Sequence, residues 1–277
     1  MKWLFVLFLA IIIFGGAAWF GYNFVFKEDI QVAKEQRGEV TAEPRADLTL
    51  PEFEAAAKLR QEGKIPEARA ALTAFVQKFP TSPHADAAKD LLGEVNIDIF
   101  LSRTPSPEKE EYVVKPGDVI NKVARKMKTT PELIMRMNNM SSTMLHIGEH
   151  LLVSHPDFAI VVQRKQNLLT VLNHGGFFKQ YHIRELKIPA KASKVQTKVA
   201  GVMAWRDGKQ VGFGTKEFIG STRWIRLGSQ SYTIYSVPDS AHQVVQPPPP
   251  QGIGLAAADA EELSSLVNNK TPVTITD

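Results

Sequence analysis

Tyr112-Val113-Val114-Lys115-Pro116-Gly117-Asp118 opens the stretch whose reading decides the fold. Those residues read as a short strand and a sharp turn, because Pro116 fixes φ and cannot extend strand pairing. Gly117 supplies backbone freedom and Asp118 is a good helix N-cap. Val119, Ile120, Val123, Ala124 and Met127 then recur three and four apart, the spacing of one helix face. Thr129, Thr130 and Pro131 restart the chain as a second helix with Pro131 in its first turn. Leu133, Ile134 and Met137 form the apolar side of that helix, and Asn138-Asn139 ends it. Leu145, Ile147, Gly148, Leu151 and Val153 predict a turn and a closing strand. The order is strand, helix, helix, strand within the 42 residues from Tyr112 to Val153.

This stretch resembles the lysin motif (LysM) module. Tyr112, Val114, Gly117, Asp118, Ile120, Ala124, Leu133, Asn138, Leu145, Gly148, Leu151 and Val153 stand at that family's spacing. The resemblance implies binding of N-acetylglucosamine-containing glycans, chiefly peptidoglycan, in a shallow groove between two loops. The groove residues it implies are Gly117, Asp118, Val119 and Ile120 on one side. On the other are Met140, Leu145, His146, Ile147 and Gly148. Val119 departs from the family, which usually has Thr there.

The rest of the chain is read outward from this module, assigned to residues 111–155. The 277 residues suit one to three domains, and 44% hydrophobic with 22% charged residues is ordinary globular composition. There is no cysteine, so disulfides, thiolate metal sites and thiol nucleophiles are excluded. No cofactor or metal site is expected. Trp3 to Phe26 is a run of 24 residues without a charge. At helical rise it is about 36 Å long, enough for a hydrocarbon core of ~30 Å. Residues 1–27 are therefore expected to be a transmembrane anchor with the bulk of the chain outside the bacterial cytoplasmic membrane. A cleaved signal peptide is the weaker reading, because the apolar run continues past Ala18. Residues 28–47 read as a charged stalk, and 103–110, with Pro105 and Pro107, as a linker.

Residues 48–102 read as a helical bundle. Ala56, Leu59, Ala68, Leu72, Phe75 and Pro80 resemble the spacing of a tetratricopeptide repeat, over about one and a half repeats where three or more are usual. A partner-protein groove and a spacer are equal readings of it. Residues 156–277 read as a β-rich domain with a closing helix and strand. This region resembles the L,D-transpeptidase catalytic domain, through Phe158–Val162 and Gln166–Val171 at one end. At the other end are Ala258–Leu263 and Thr271–Val273. In that family the nucleophile is a cysteine in a His-Gly-Cys-Ile-Arg run. The aligned cysteine and arginine positions are Gly252 and Gly254, and the two histidine positions are Pro250 and Tyr235. Without a thiol and a base no acyl-enzyme can form there, so no catalytic residue is assigned. His242 with Ser236 and Ser240 is a weak substitute pair.

Phe158 to Tyr235 holds 13 Lys or Arg against 3 Asp or Glu. Such a surface favours anionic partners, and nucleic acid is not expected outside the membrane. The fold class expected is multidomain α+β: a transmembrane helix, a repeat-like helical bundle, a LysM module and a non-catalytic transpeptidase-like domain. Two alternatives stand beside it. One is an active wall enzyme with an unrecognised nucleophile. The other is an envelope scaffold acting through its helices.

Overall fold

The structure, a computed structural model, describes residues 47–103, 106–189, 194–228, 232–238 and 251–277. The chain divides into two compact units, Met1–Leu48 and Thr49–Asp277. Only Asp47 and Leu48 of the first unit are described, so the account that follows concerns the second.

Three helices come first: α1 (Leu50–Gln61), α2 (Ile65–Lys78) and α3 (Ala85–Leu101). Pro51 and Pro66 lie in the first turns of α1 and α2, where a missing N–H costs no helical hydrogen bond. Gly63, at φ +75°, makes the turn between them. Ala56, Ala68 and Ala88 let the helices approach closely, and Leu72, Phe75, Leu92 and Val95 fill the space between.

The module follows as β1 (Lys109–Val113), α4 (Ile120–Lys126), α5 (Pro131–Met137) and β2 (His150–Ser154), with β1 and β2 antiparallel. The remaining strands are β3 (Phe158–Gln163), β4 (Leu168–Asn173), β5 (Gly176–His182), β6 (Glu185–Lys187), β7 (Val195–Arg206) and β8 (Lys209–Val211). After these come β9 (Thr222–Leu227), β10 (Thr233–Val237), β11 (Gly252–Ala256), helix α6 (Ala257–Leu266) and β12 (Pro272–Thr276). Their order in the sheet is β5-β4-β3-β12-β7-β9-β10-β11-β6, with β8 paired to β7. Only β3–β12 and β10–β11 are parallel. β5 and β6 stand at opposite ends of that order, yet two residues separate them in the chain, so the sheet must curl until its ends meet. The Arg184 N–H, between these strands, donates to Gly254 O at 2.8 Å. The concave side holds the large core, including Ile160, Val171, Ile225, Ile234, Leu255, Leu263 and Ile275.

Helix α3 serves both the helical bundle and this sheet. Ala88, Leu92 and Val95 face the bundle. Ile97 and Phe100 belong to the core of the sheet, where the Phe100 ring meets Phe158 at 5.6 Å and Phe178 at 5.4 Å, edge to face. Burying that ring stabilises the contact by about 2–3 kcal/mol, with about 1 more from its geometry. Asn96 Nδ2 donates to Phe178 O at 2.7 Å. Lys179, on β5, reaches Glu94 at 2.6 Å and Glu262 at 2.8 Å. Burial pushes the Lys179 ammonium down, but these two carboxylates more than offset it and leave its pKa raised.

The transmembrane helix of the expected fold class does not appear among the described residues. Among the described residues no helix is long and apolar enough to cross a membrane. The longest, α3, has 17 residues and carries Asp86, Lys89, Asp90, Glu94 and Asp98. The expected span Trp3 to Phe26 lies outside the described residues. For the described residues the fold class is corrected to an α+β architecture of helical bundle, βααβ module and curled sheet, and the expected single-pass inner-membrane location is corrected with it, since no described helix can cross a membrane.

Gly93 sets how closely α3 lies on β5: a Cβ there would stand 2.9 Å from Lys179 Cγ and 3.2 Å from its Cα. Gly93→Val should therefore lift α3 and destabilise the protein by about 1–3 kcal/mol. The urea midpoint of the full chain reads this, and an unshifted midpoint would refute the close approach.

Candidate functional site

Two turns stand side by side at one end of the module. In the first, Asp118 N–H donates to Lys115 O at 3.1 Å, with Pro116 second and Gly117, at φ +78°, third. In the second, Glu149 N–H donates to His146 O at 3.0 Å, with Gly148 third at φ +85°. Positive φ at the third position is what a type II turn needs, and glycine adopts it without steric cost. Val114 ties the bases of the turns together: Gly148 N–H donates to its carbonyl, and its own N–H donates to Glu149 O, both at 2.9 Å. The Asp118 carboxylate accepts from the Tyr112 hydroxyl at 2.7 Å and from Lys115 N–H at 2.9 Å. These bonds, the Tyr112 hydroxyl first, hold its pKa below the usual 3.8. Around the turns Val119 is 58% exposed, Met144 67% and Ile147 72%, although all three are apolar.

A second cluster lies on the curled sheet. Tyr235 and Gly254 are register partners on β10 and β11. Tyr235 is fully buried, and its hydroxyl donates to Glu185 Oε2 at 3.0 Å. Burial first, and Glu185 second, raise its pKa. A Cβ at Gly254 would meet Val237 Cγ2 at 2.5 Å, Glu185 Cβ at 2.9 Å and Tyr235 Cε2 at 3.1 Å. At Gly252, φ +148°, a Cβ would stand 1.9 Å from Thr233 O. Neither position has room for a side chain. Ser236 is buried and exchanges hydrogen bonds with the Arg223 backbone, at 3.3 Å from its N–H and 3.2 Å to its carbonyl. Pro250, Ser240 and His242 lie outside the described residues.

The LysM domain family model matches residues 112–154. Among solved structures, an L,D-transpeptidase from Mycobacterium smegmatis has TM-score 0.31 at 12% identity, over 47% of this chain and 64% of that one. One from Mycobacterium tuberculosis has 0.31 at 15%, over 47% and 63%. A variant of the Enterococcus faecium L,D-transpeptidase has 0.30 at 14%, over 48% and 56%. The chain thus covers less than two thirds of the length of each, and likeness at these scores places no residue. No curated protein matches the chain.

Within the LysM module the candidate groove residues divide. Gly117, Val119, His146, Ile147 and Gly148 are exposed at the two turns, with Asp118 partly buried between them. Ile120 is core, and Met140 and Leu145 pack against that core. Asp118 does not cap α4. Val119 stands at the N-cap without a side-chain bond, while Asp118 binds back to the turn.

The LysM helix α5 is also two-sided. Ile134 faces the module's own core, whereas Leu133 and Met137 enter the core of the sheet. Thr130 accepts from Leu133 N–H at 3.0 Å as the cap of α5, and donates to Ser265 O at 2.6 Å. Beside it Arg136 pairs with Glu132 at 3.0 Å and Glu261 at 3.1 Å, and the fully buried Arg223 pairs with Glu132 at 3.5 Å. Sequence reasoning passed over Arg223, Glu185 and Phe213, which packs on the LysM core from the sheet side. A signal existed for Arg223, which sits inside the strand-like run Thr222–Leu227 where a charge needs a partner. Among the described residues no cluster of His, Asp or Glu could hold a metal ion.

Two outcomes test this geometry. Gly252→Ala should destabilise the protein by about 3 kcal/mol through the clash with Thr233 and the disfavoured φ. An alanine variant that melts with the wild type would mean the strand can shift to make room. The second concerns pH. A carboxylate with a folded pKa below its unfolded value contributes stability above the unfolded pKa, lost as pH falls through the folded one. Asp118→Asn should therefore melt below wild type at pH 7, and the gap should close as pH drops beneath 3.8. A gap that persists in acid would mean the carboxylate does not carry the turn.

Proposed function

We propose that this protein is cell-wall-associated and binds peptidoglycan, or another N-acetylglucosamine glycan, through the paired turns of its LysM module. The observation that carries this is the exposure of Val119, Met144 and Ile147 around two hydrogen-bonded turns in a stretch that matches the LysM model. Sugar rings have apolar faces edged with hydroxyl groups. Exposed aliphatic side chains can take the faces, and turn amides and carbonyls the hydroxyls. Apolar residues held in water by rigid turns are otherwise costly, and such patches mark binding sites.

The L,D-transpeptidase-like region is read as non-catalytic, a scaffold that fixes the module. This reading is supported by the glycines at 252 and 254, where no thiol fits, and by the bonded hydroxyl of Ser236. Tyr235 and Glu185 fill the space a reacting group would need. A protein partner on the exposed faces of α1 and α2 remains compatible with this role, since only α3 is committed to the sheet.

The test is sedimentation of the protein with purified peptidoglycan. Wild type should pellet, and Val119→Asp with Ile147→Asp should stay largely in the supernatant, because a desolvated carboxylate is placed against the sugar faces. Equal pelleting by both would refute the turns as the glycan site. Incubation with tetrapeptide-containing muropeptides should leave their masses unchanged. A cross-linked product would overturn the non-catalytic reading alone.

A further inference from the structure

The LysM module meets the sheet along one side of its second loop. Asn139 to Thr143, at the start of that loop, and Phe213 to Ile219, between β8 and β9, line a hollow of about 450 Å³. The two loops are in contact: a Cβ at Gly214 would stand 3.2 Å from Thr143 Cγ2, and Gly214 holds φ +87°. The loop from Met140 to Gly148 thus has the hollow at its beginning and the second of the paired turns at its end. Ile219, at the far rim, is 72% exposed, as much as Ile147 at the turn.

The chemistry of the hollow continues that of the turns. Its apolar wall is Phe213 and Phe218, packed edge to face at 5.2 Å. Its polar side is Ser141, Ser142, Thr143 and Thr215. Four charges also line it, Glu132, Arg136, Arg223 and Glu261, but they are two of each sign and pair with one another. A recess whose charges cancel has no preference for an ion. It suits a neutral ligand with apolar faces and many hydroxyls. The larger hollow, about 940 Å³, shares Glu132, Phe213 and Phe218 with this one and sets three cations, Arg125, Lys128 and Lys270, against two carboxylates, Glu132 and Asp157.

We infer that the glycan site is composite: the loop Phe213–Ile219 of the C-terminal domain forms its second wall, and the protein takes an extended N-acetylglucosamine strand rather than a short oligomer. This rests on the glycan reading of the module. The strand lies across the paired turns and runs on into the hollow, with Ile219 against a sugar face beyond the module itself. The C-terminal domain then contributes to recognition as well as to support.

Calorimetry of the full chain with chitooligosaccharides of increasing length tests this. Wild-type affinity should keep rising with length. Ile219→Ser removes an apolar contact at the rim, and Ser141→Trp blocks the hollow at an exposed position. Each should weaken the longest oligomer about tenfold, leave the shortest binder unchanged, and melt with wild type. If both variants follow wild type at every length, the composite site is overturned while the module's own site stands. If wild type binds no oligomer of any length, both fall, and loss confined to the shortest binder would also overturn the second wall.

Discussion

Helix Pro131–Met137 belongs to two hydrophobic cores at once, and the arrangement of the folded unit depends on it. Seven residues are too few to be helical alone, since the nucleation cost exceeds what so few bonds return. The helix persists because Ile134 is buried in the module while Leu133 and Met137 are buried against the sheet. Each of those side chains contributes roughly 2 kcal/mol of burial. Turning the module away from the sheet would return Leu133 and Met137 to water and strip Glu132 from Arg223, leaving a buried cation unpaired. Such a loss typically costs several kcal/mol. The module is therefore held as part of one body, with its two turns aimed in a fixed direction.

Much of this was legible in the sequence where a local pattern carried it. The strand-and-turn reading of Tyr112 to Asp118 and the three-and-four spacing from Val119 to Met137 predict the module's element order, and Pro116-Gly117 its first turn. What periodicity cannot tell is which core an apolar side faces. Leu133, Ile134 and Met137 read as one stripe, yet adjacent residues of that stripe serve different cores. Asp118 shows a second limit: a residue suited to capping the following helix instead binds Tyr112, six residues back, a competition that propensity alone leaves undecided. The contacts of Lys179 with Glu94 and of Arg223 with Glu132 span more than eighty residues, where no spacing rule reaches. The contact of the Phe213–Ile219 loop with Thr143 was out of reach for the same reason.

The cluster around Tyr235 leaves no room for a side chain at Gly254. The Tyr235 ring lies over Gly254 and its hydroxyl is held by Glu185, which also pairs with Lys187 at 2.8 Å. Lys187 sits 5.7 Å from the Tyr235 ring centre. Tyrosine, glycine, glutamate and lysine form one interlocked group joining β6, β10 and β11. It favours a static sheet edge over a cleft that opens to water. The next strand, β9, carries Arg223, which pairs with Glu132 on the module's helix α5.

Strand β12 lies between β3 and β7, joining the two halves of the sheet. In chain order it follows every other strand of that sheet. Until it pairs, β3 and β7 each present an unpaired edge, Ile160 to Gln163 on one and Val195 to Lys198 on the other, and the core cannot close. Pairing β3 with β12 also joins residues more than a hundred positions apart, a contact order that slows folding. Helices α1 to α3 precede every strand of this sheet, which stays open until β12 is made. Exposed edges in that interval invite pairing between chains. The interval before β12 inserts is thus a kinetic vulnerability built into a fold whose finished form shows no such gap.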